Sequence, residues 1–172
     1  HRAYHNLRHL EECFAHLDTS VHLARKPGEV AVALWFHDAI HDTHASDNET
    51  RSADWAREVV EGVGGCSDVA ERVRDLILAT RHAENPAPGD TALLVDIDLA
   101  ILGAAEDRFD EYESQIRREY AWVPEPLFRA TRCQILGGFL ARPRIYSTAY
   151  FAERREGPAR ANLRRAIAHL GG

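Results

Sequence analysis

Residues 28–42, GEVAVALWFHDAIHD, constrain the fold of this chain more than any other segment. Apolar side chains on almost every side predict a central, buried helix, with Pro27 suited to its first turn. Yet the segment ends in two His-Asp pairs, His37-Asp38 and His41-Asp42. At about 100° per residue, Val30, Leu34, His37 and His41 fall within about 40–60° of one another, with Asp38 beside them. The pairs thus continue the buried stripe. Titratable groups placed there must be paired, solvated or bound to a cation, because burying them unpartnered is costly.

The remainder reads as further helices. Residues 4–24 carry Leu7, Leu10, Phe14, Leu17, Val21 and Ala24 at helical spacing. Ser46 to Glu49, SDNE, has the form of a capping box and opens a helix that ends near Gly62, Gly64 and Gly65. Residues 68–82 repeat the pattern, and 83–90, AENPAPGD, form a loop. Asp90 is placed to cap a helix over 91–105. Others follow at 106–121, 125–141 and 158–170. The Gly137-Gly138 pair suggests a close helix contact. No strand alternation competes and no internal repeat appears, so the expectation is an all-α, single-domain helical bundle over 1–172. Its candidate site lies in about 2–105, with C-terminal helices over about 106–170.

Composition narrows the function classes. Of 172 residues, 45% are apolar and 28% charged, a globular balance. The net charge of −6 argues against binding duplex nucleic acid through a basic face. An anionic substrate stays open, since a bound metal can reverse the local field. Cys13, Cys66 and Cys133 are distant and odd in number, which points to reduced, mostly buried thiols in a cytoplasmic protein rather than a disulfide framework. No apolar run approaches the ~20 residues of a membrane-spanning helix, and no signal-peptide pattern is visible. The chain starts at His1 without an initiator Met, leaving room for N-terminal residues beyond it.

Phase separates the two acids of LLVDIDLAIL, residues 93–102: Asp98 falls among Leu94, Ile101 and Leu102, whereas Asp96 points the opposite way. His5 and His9 stand at i and i+4, flanking the apolar stripe of the first helix. Imidazoles and carboxylates converging on a helical core suit manganese, iron, cobalt, nickel or zinc. Without cysteine ligands, a structural zinc site is not indicated. Glu49 is accounted for by the capping box, and His82, opposite its helix's apolar stripe, suits a solvent-facing position at least as well as a ligand's. His16, His22, His44 and His169 carry no functional assignment.

YHN at 4–6, FHD at 36–38 and the second Asp of DIDL at 96–99 resemble the His…His-Asp…Asp signature of the HD-domain superfamily of metal-dependent phosphohydrolases. The blocks RAYHNLRHL, WFHDAIHD, DNETRSA and DIDLAILG, in that order, resemble a bacterial group described as predicted HD superfamily phosphohydrolases. The resemblance implies that His5, His37, Asp38 and Asp98 hold a divalent ion, magnesium being added to the metals above. It favours His5 over His9 because His5-Asn6 matches the usual His-Ser/Thr of the first block. In the related deoxynucleotidases and alarmone pyrophosphohydrolases, a Glu three residues after the His-Asp pair assists the attacking water. His41 stands there in this chain, followed by Asp42-Thr43 as in the alarmone branch. Leu102 replaces the Asn expected four residues after the last Asp, a departure from alarmone specificity. His82 matches loosely an additional ligand of two-metal members.

The function expected is metal-dependent hydrolysis of a phosphate ester, a nucleotide or another small phosphorylated metabolite, with His41 and Asp42 as catalytic groups. A second metal or the substrate would use His9, His82, Glu49 or Arg51. Arg2, Arg8 and Arg81 are further phosphate-binding candidates. Alternatives are alarmone-type pyrophosphate removal and a metal- or nucleotide-binding module without turnover; an oxygenase would need a two-iron site, with extra ligands from His9 or His82. A homodimer could use helix 125–141 through Phe128, Ile135 and Phe139, and a core role explains those residues equally well. Residues after 105 carry no chemical motif.

Overall fold

A computed structural model describes residues 1–82 and 86–171. Among them the chain is all-α, without strands. They form two compact units, His5–Asp98 and His1–Tyr4 with Leu99–Gly172. The predicted loop at 83–90 falls partly on 83–85, outside the described residues.

The His5–Asp98 unit holds α1 (Leu7–Ser20), α2 (Pro27–Phe36), α3 (Asn48–Gly62), α4 (Ser67–Leu78) and α5 (Asp90–Asp98), with 3-10 turns at Val21–Leu23 and Ala79–Arg81. Helix α2 touches the other four and is the hub, as its apolar run predicts. Val30, Ala33 and Leu34 are fully buried, and a buried Val or Leu contributes about 1.5–3 kcal/mol. Burial is not all round: Trp35 is exposed, its ring 6.3 Å from that of Phe14. Arg72 of α4 grips the Glu29 carboxylate of α2 with two hydrogen bonds of 2.8 and 2.7 Å, and Arg74 of α4 holds Asp54 of α3 at 2.8 Å.

Local chemistry sets several boundaries differently from the periodicity. Asn6 is extended and its side chain accepts from the Arg8 N–H at 2.8 Å, so α1 begins at Leu7 and His5 lies outside it. The capping box does not form; α3 starts at Asn48, with Ser46 and Asp47 before it. Its other end matches expectation. Gly64, at φ +85°, donates to Glu61 O and Gly65 to Val60 O, the paired bonds of a Schellman stop. Asp90 does not cap α5. Its carboxylate accepts from the Arg25 and Lys26 N–H groups at 2.7 and 3.0 Å, where the chain enters α2.

In the second unit a 3-10 segment, Leu99–Gly103, precedes α6 (Glu106–Glu119), α7 (Glu125–Ala141) and α8 (Ala149–Gly171). Its carbonyls receive side chains from the α8 region: Tyr146 Oη reaches Leu99 O at 3.0 Å, Arg155 reaches Gly103 O at 3.0 Å, and Asn162 Nδ2 reaches Leu102 O and Ala104 O at 3.0 Å each. A Cβ on Gly103 would come 2.8 Å from Arg155 Cβ and O, which explains the glycine. Helix α8 begins nine residues before the expected start and runs through Pro158. Proline forfeits one helical bond. The turns before it are held by buried Phe151 and by Glu156, which accepts from the Ile145 and Tyr146 N–H groups. Arg160 closes the α7 end on the carbonyls of Leu140 and Arg142. Gly137 and Gly138 mark no close contact, since a Cβ on either meets nothing within 4 Å. Ile135 is exposed, whereas Phe128 and Leu136 are buried.

Replacing Asn162 with Ala strands the Leu102 and Ala104 carbonyls. We expect a loss of about 1–3 kcal/mol, read as a lower denaturant midpoint by circular dichroism.

Candidate metal centre

Helix α2 ends at Phe36, and His37-Asp38 make the turn that follows instead of continuing the helix to residue 42. A helix end leaves carbonyls without intrahelical partners. One of them, Leu34 O, lies 2.7 Å from His37 Nδ1. A carbonyl only accepts, so Nδ1 carries the hydrogen, and on a neutral ring Nε2 keeps its lone pair.

That Nε2 sits in a tight group with three other atoms. His9 Nε2 is 3.2 Å away, Asp38 Oδ2 3.2 Å and Asp98 Oδ1 3.5 Å. His9 Nε2 is in turn 3.5 Å from Asp38 Oδ2 and 3.3 Å from Asp98 Oδ1. Each imidazole nitrogen thus has the other and one oxygen of each acid at 3.2–3.5 Å, spacings compatible with nitrogen and oxygen donors sharing one ion. Two carboxylates also balance a divalent charge. The donor set fits such an ion. The imidazoles form the floor and the acids the rim: His9 and His37 are nearly inaccessible, whereas the Asp38 and Asp98 side chains are 28% and 15% exposed.

The electrostatics agree. Burial opposes charge on His37, but Asp38 and then Asp98 outweigh it and push the imidazole well above its ordinary range. Burial likewise opposes ionisation of Asp38 and Asp98. His37, with His5 and His9, holds Asp38 far below the usual carboxylate range, and His37, His82 and His9 do the same for Asp98.

The sequence-derived residues distribute unevenly around this group. His37, Asp38 and Asp98 come together. The histidine of the first helix that joins them is His9, not His5, because the Asn6 cap turns the chain between the two. His5 instead stacks on His41, centroids 4.1 Å apart and planes 27° apart, with its own ring 6.2 Å from that of His9. His82 Nε2 lies 3.0 Å from Asp98 Oδ2, so this histidine faces the site and not solvent. Asp96, expected to point away, is fully buried; α5 is enclosed on all sides, so its phase does not sort inward from outward.

His41 lies in an irregular loop, not one helical turn beyond His37. Helix α3 fastens that loop on both sides of it. Ser52 Oγ accepts from Ile40 N–H at 3.0 Å, and Asn48 brackets the Asp42 backbone, accepting at 3.1 Å and donating at 2.9 Å. The block DNETRSA thus has a structural use that spacing alone did not reveal. Asp42 is exposed and its carboxylate accepts from His44 N–H at 2.9 Å, which shapes the loop. Glu49 occupies the first turn of α3. Arg51 approaches Asp47 at 3.9 Å, Arg8 approaches Glu12 at 3.5 Å, and Arg81 donates to Thr50 Oγ1.

Sequence reading gave Cys13 no place here, yet it joins His9, His37 and Asp98 in a group of ligand atoms within 4.8 Å of one another. Its i+4 spacing from His9 was the available signal. Sγ is 3.8 Å from His9 Nδ1 and 3.7 Å from Nε2, so it lies across the ring rather than along the Nε2 lone pair. Burial, then Asp98 and Asp38, push the thiol upward and keep it protonated. Of the other cysteines, Cys66 is exposed and Cys133 half-buried, so the thiols are not mostly buried.

Comparisons with protein-family models, curated proteins and solved structures gave no match. Among the described residues no helix is long and apolar enough to cross a membrane.

Two outcomes follow for titration with Mn²⁺, Co²⁺ or Zn²⁺. His9→Ala weakens binding by more than about 100-fold, beyond the 10–100-fold typical of outer partners, while His5→Ala weakens it less than about tenfold. At neutral pH uptake expels the proton held by His37, so calorimetry in buffers of different ionisation enthalpy shows a net release of about one proton.

Proposed function

We propose that this protein is a metal-dependent phosphohydrolase of the HD-domain type, acting on a nucleotide or another small phosphorylated metabolite. The observation that supports the reading is the pair of imidazole nitrogens, 3.2 Å apart, each with one oxygen of both solvent-reaching acids at 3.2–3.5 Å. A divalent ion bound there would lower the pKa of a water and offset charge on phosphoryl oxygens. Four protein atoms are too few to fill the coordination of the six-coordinate metals, which leaves room for water and a phosphate oxygen.

The protein's own groups then have separate tasks. His9, His37, Asp38 and Asp98 hold the ion, and Leu34 O fixes the tautomer of His37. His41, stacked on His5 and held between the Ile40 and Asp42 clamps, would exchange a proton with the attacking water or the leaving oxygen. Arg51 and Arg81 supply guanidinium groups on α3 and at the end of α4 for the substrate's phosphate.

The test is phosphate release from nucleotides and sugar phosphates with added manganese, cobalt, magnesium or zinc, with Asp38→Ala run beside the wild type to expose contaminating phosphatases. Release that depends on metal and vanishes in Asp38→Ala is expected. His41→Ala should lower kcat about 10²–10⁴-fold while metal still binds. A metal-loaded protein that hydrolyses nothing in the panel would point to a binding module.

A further inference from the structure

His82 differs from the other described histidines in its backbone. It is the one non-glycine residue with positive φ among the described residues, at φ 54° and ψ 19°, where it ends the 3-10 turn Ala79–Arg81. L-residues seldom take this left-handed conformation, His, Asn and Asp more often than the rest, and residues held in it concentrate at functional sites. Its Nε2 lies 3.0 Å from Asp98 Oδ2. The other Asp98 oxygen, Oδ1, is the one within 3.3–3.5 Å of His9 and His37. The carboxylate is therefore divided, one oxygen toward the donor set and one toward His82.

We propose that His82 is a positioning residue for the metal: its Nε2–H occupies Asp98 Oδ2, so that Asp98 gives the ion a single oxygen and a coordination position stays open. This rests on the metal reading above and assigns His82 a role other than ligand. A carboxylate released from such a hydrogen bond turns readily to bind through both oxygens, as carboxylates do at flexible oxygen-rich sites. Partners of this outer kind orient the ligands and set what else the metal holds.

The experiment loads the whole chain with Mn²⁺ and measures the paramagnetic enhancement of water-proton relaxation, which follows the number of exchanging waters on the ion. Four protein atoms leave two positions on a six-coordinate ion. His82→Gly keeps the left-handed turn without side-chain strain and removes the donor. We expect full Mn²⁺ stoichiometry with the enhancement reduced about twofold, one of those two positions being lost. His82→Gln, whose amide nitrogen replaces Nε2, restores the wild-type enhancement. An unchanged or higher enhancement in manganese-loaded His82→Gly overturns the proposal.

A second measurement needs no variant. In the zinc-loaded wild type, long-range ¹⁵N–¹H spectra of the histidines should show His82 with a proton on Nε2. A metal-bound Nε2 on His82 would overturn the proposal and make it a ligand. If the wild type takes up neither ion, the metal reading fails and this inference with it. If it takes up both and these two results oppose the proposal, the inference falls and the metal reading stands.

Discussion

Two carboxylates converge on two nearly inaccessible imidazoles, and the His5–Asp98 unit depends on how that charge is compensated. Asp38 Oδ2 and Asp98 Oδ1 each approach both His9 Nε2 and His37 Nε2 within 3.5 Å. In the protein alone the two acids push His37 up, and His37 in turn holds both acids down. A divalent ion held by these atoms would balance both carboxylates and lower the cost of burying them.

Helix termini, rather than helix faces, place these groups. His37 follows the last residue of α2 and uses that helix's unpaired Leu34 carbonyl to set its tautomer. Asp98 is the last residue of α5, and His82 ends the turn after α4. His9 alone comes from within a helix, in the first turn that Asn6 caps. An end can aim a side chain at a point that no regular face reaches. It also supplies spare carbonyls, and the loop from Ala39 to Asp47 is tied down by Asn48 and Ser52 of α3 for the same reason: its own backbone has no ladder to join.

The Leu99–Gly172 unit answers that need differently. Its 3-10 segment Leu99–Gly103 cannot satisfy its carbonyls regularly, and Tyr146, Arg155 and Asn162 satisfy them from outside. These contacts account for the length of α8. A proline in mid-helix would end most helices, but here the turns on both sides of Pro158 carry side chains already committed to the rest of the unit.

Local sequence determined the helical class, the hub helix, the Gly64-Gly65 stop and the bounds of α7, because each depends on neighbours a few residues apart. That His37-Asp38 needs partners was legible for a similar reason: charge at the end of an apolar run demands one. Tertiary structure decided the rest. Only the folded chain shows that the Asn6 cap lies between His5 and His9 with His9 in the cluster, that Asn48 and Ser52 clamp the loop while Ser46 and Glu49 form no capping box, and that Asp90 serves the entry to α2. Side chains such as Asn, Asp and Ser bond equally well to their own helix or to a backbone 10 or 60 residues away. Spacing cannot separate those outcomes, and packing does.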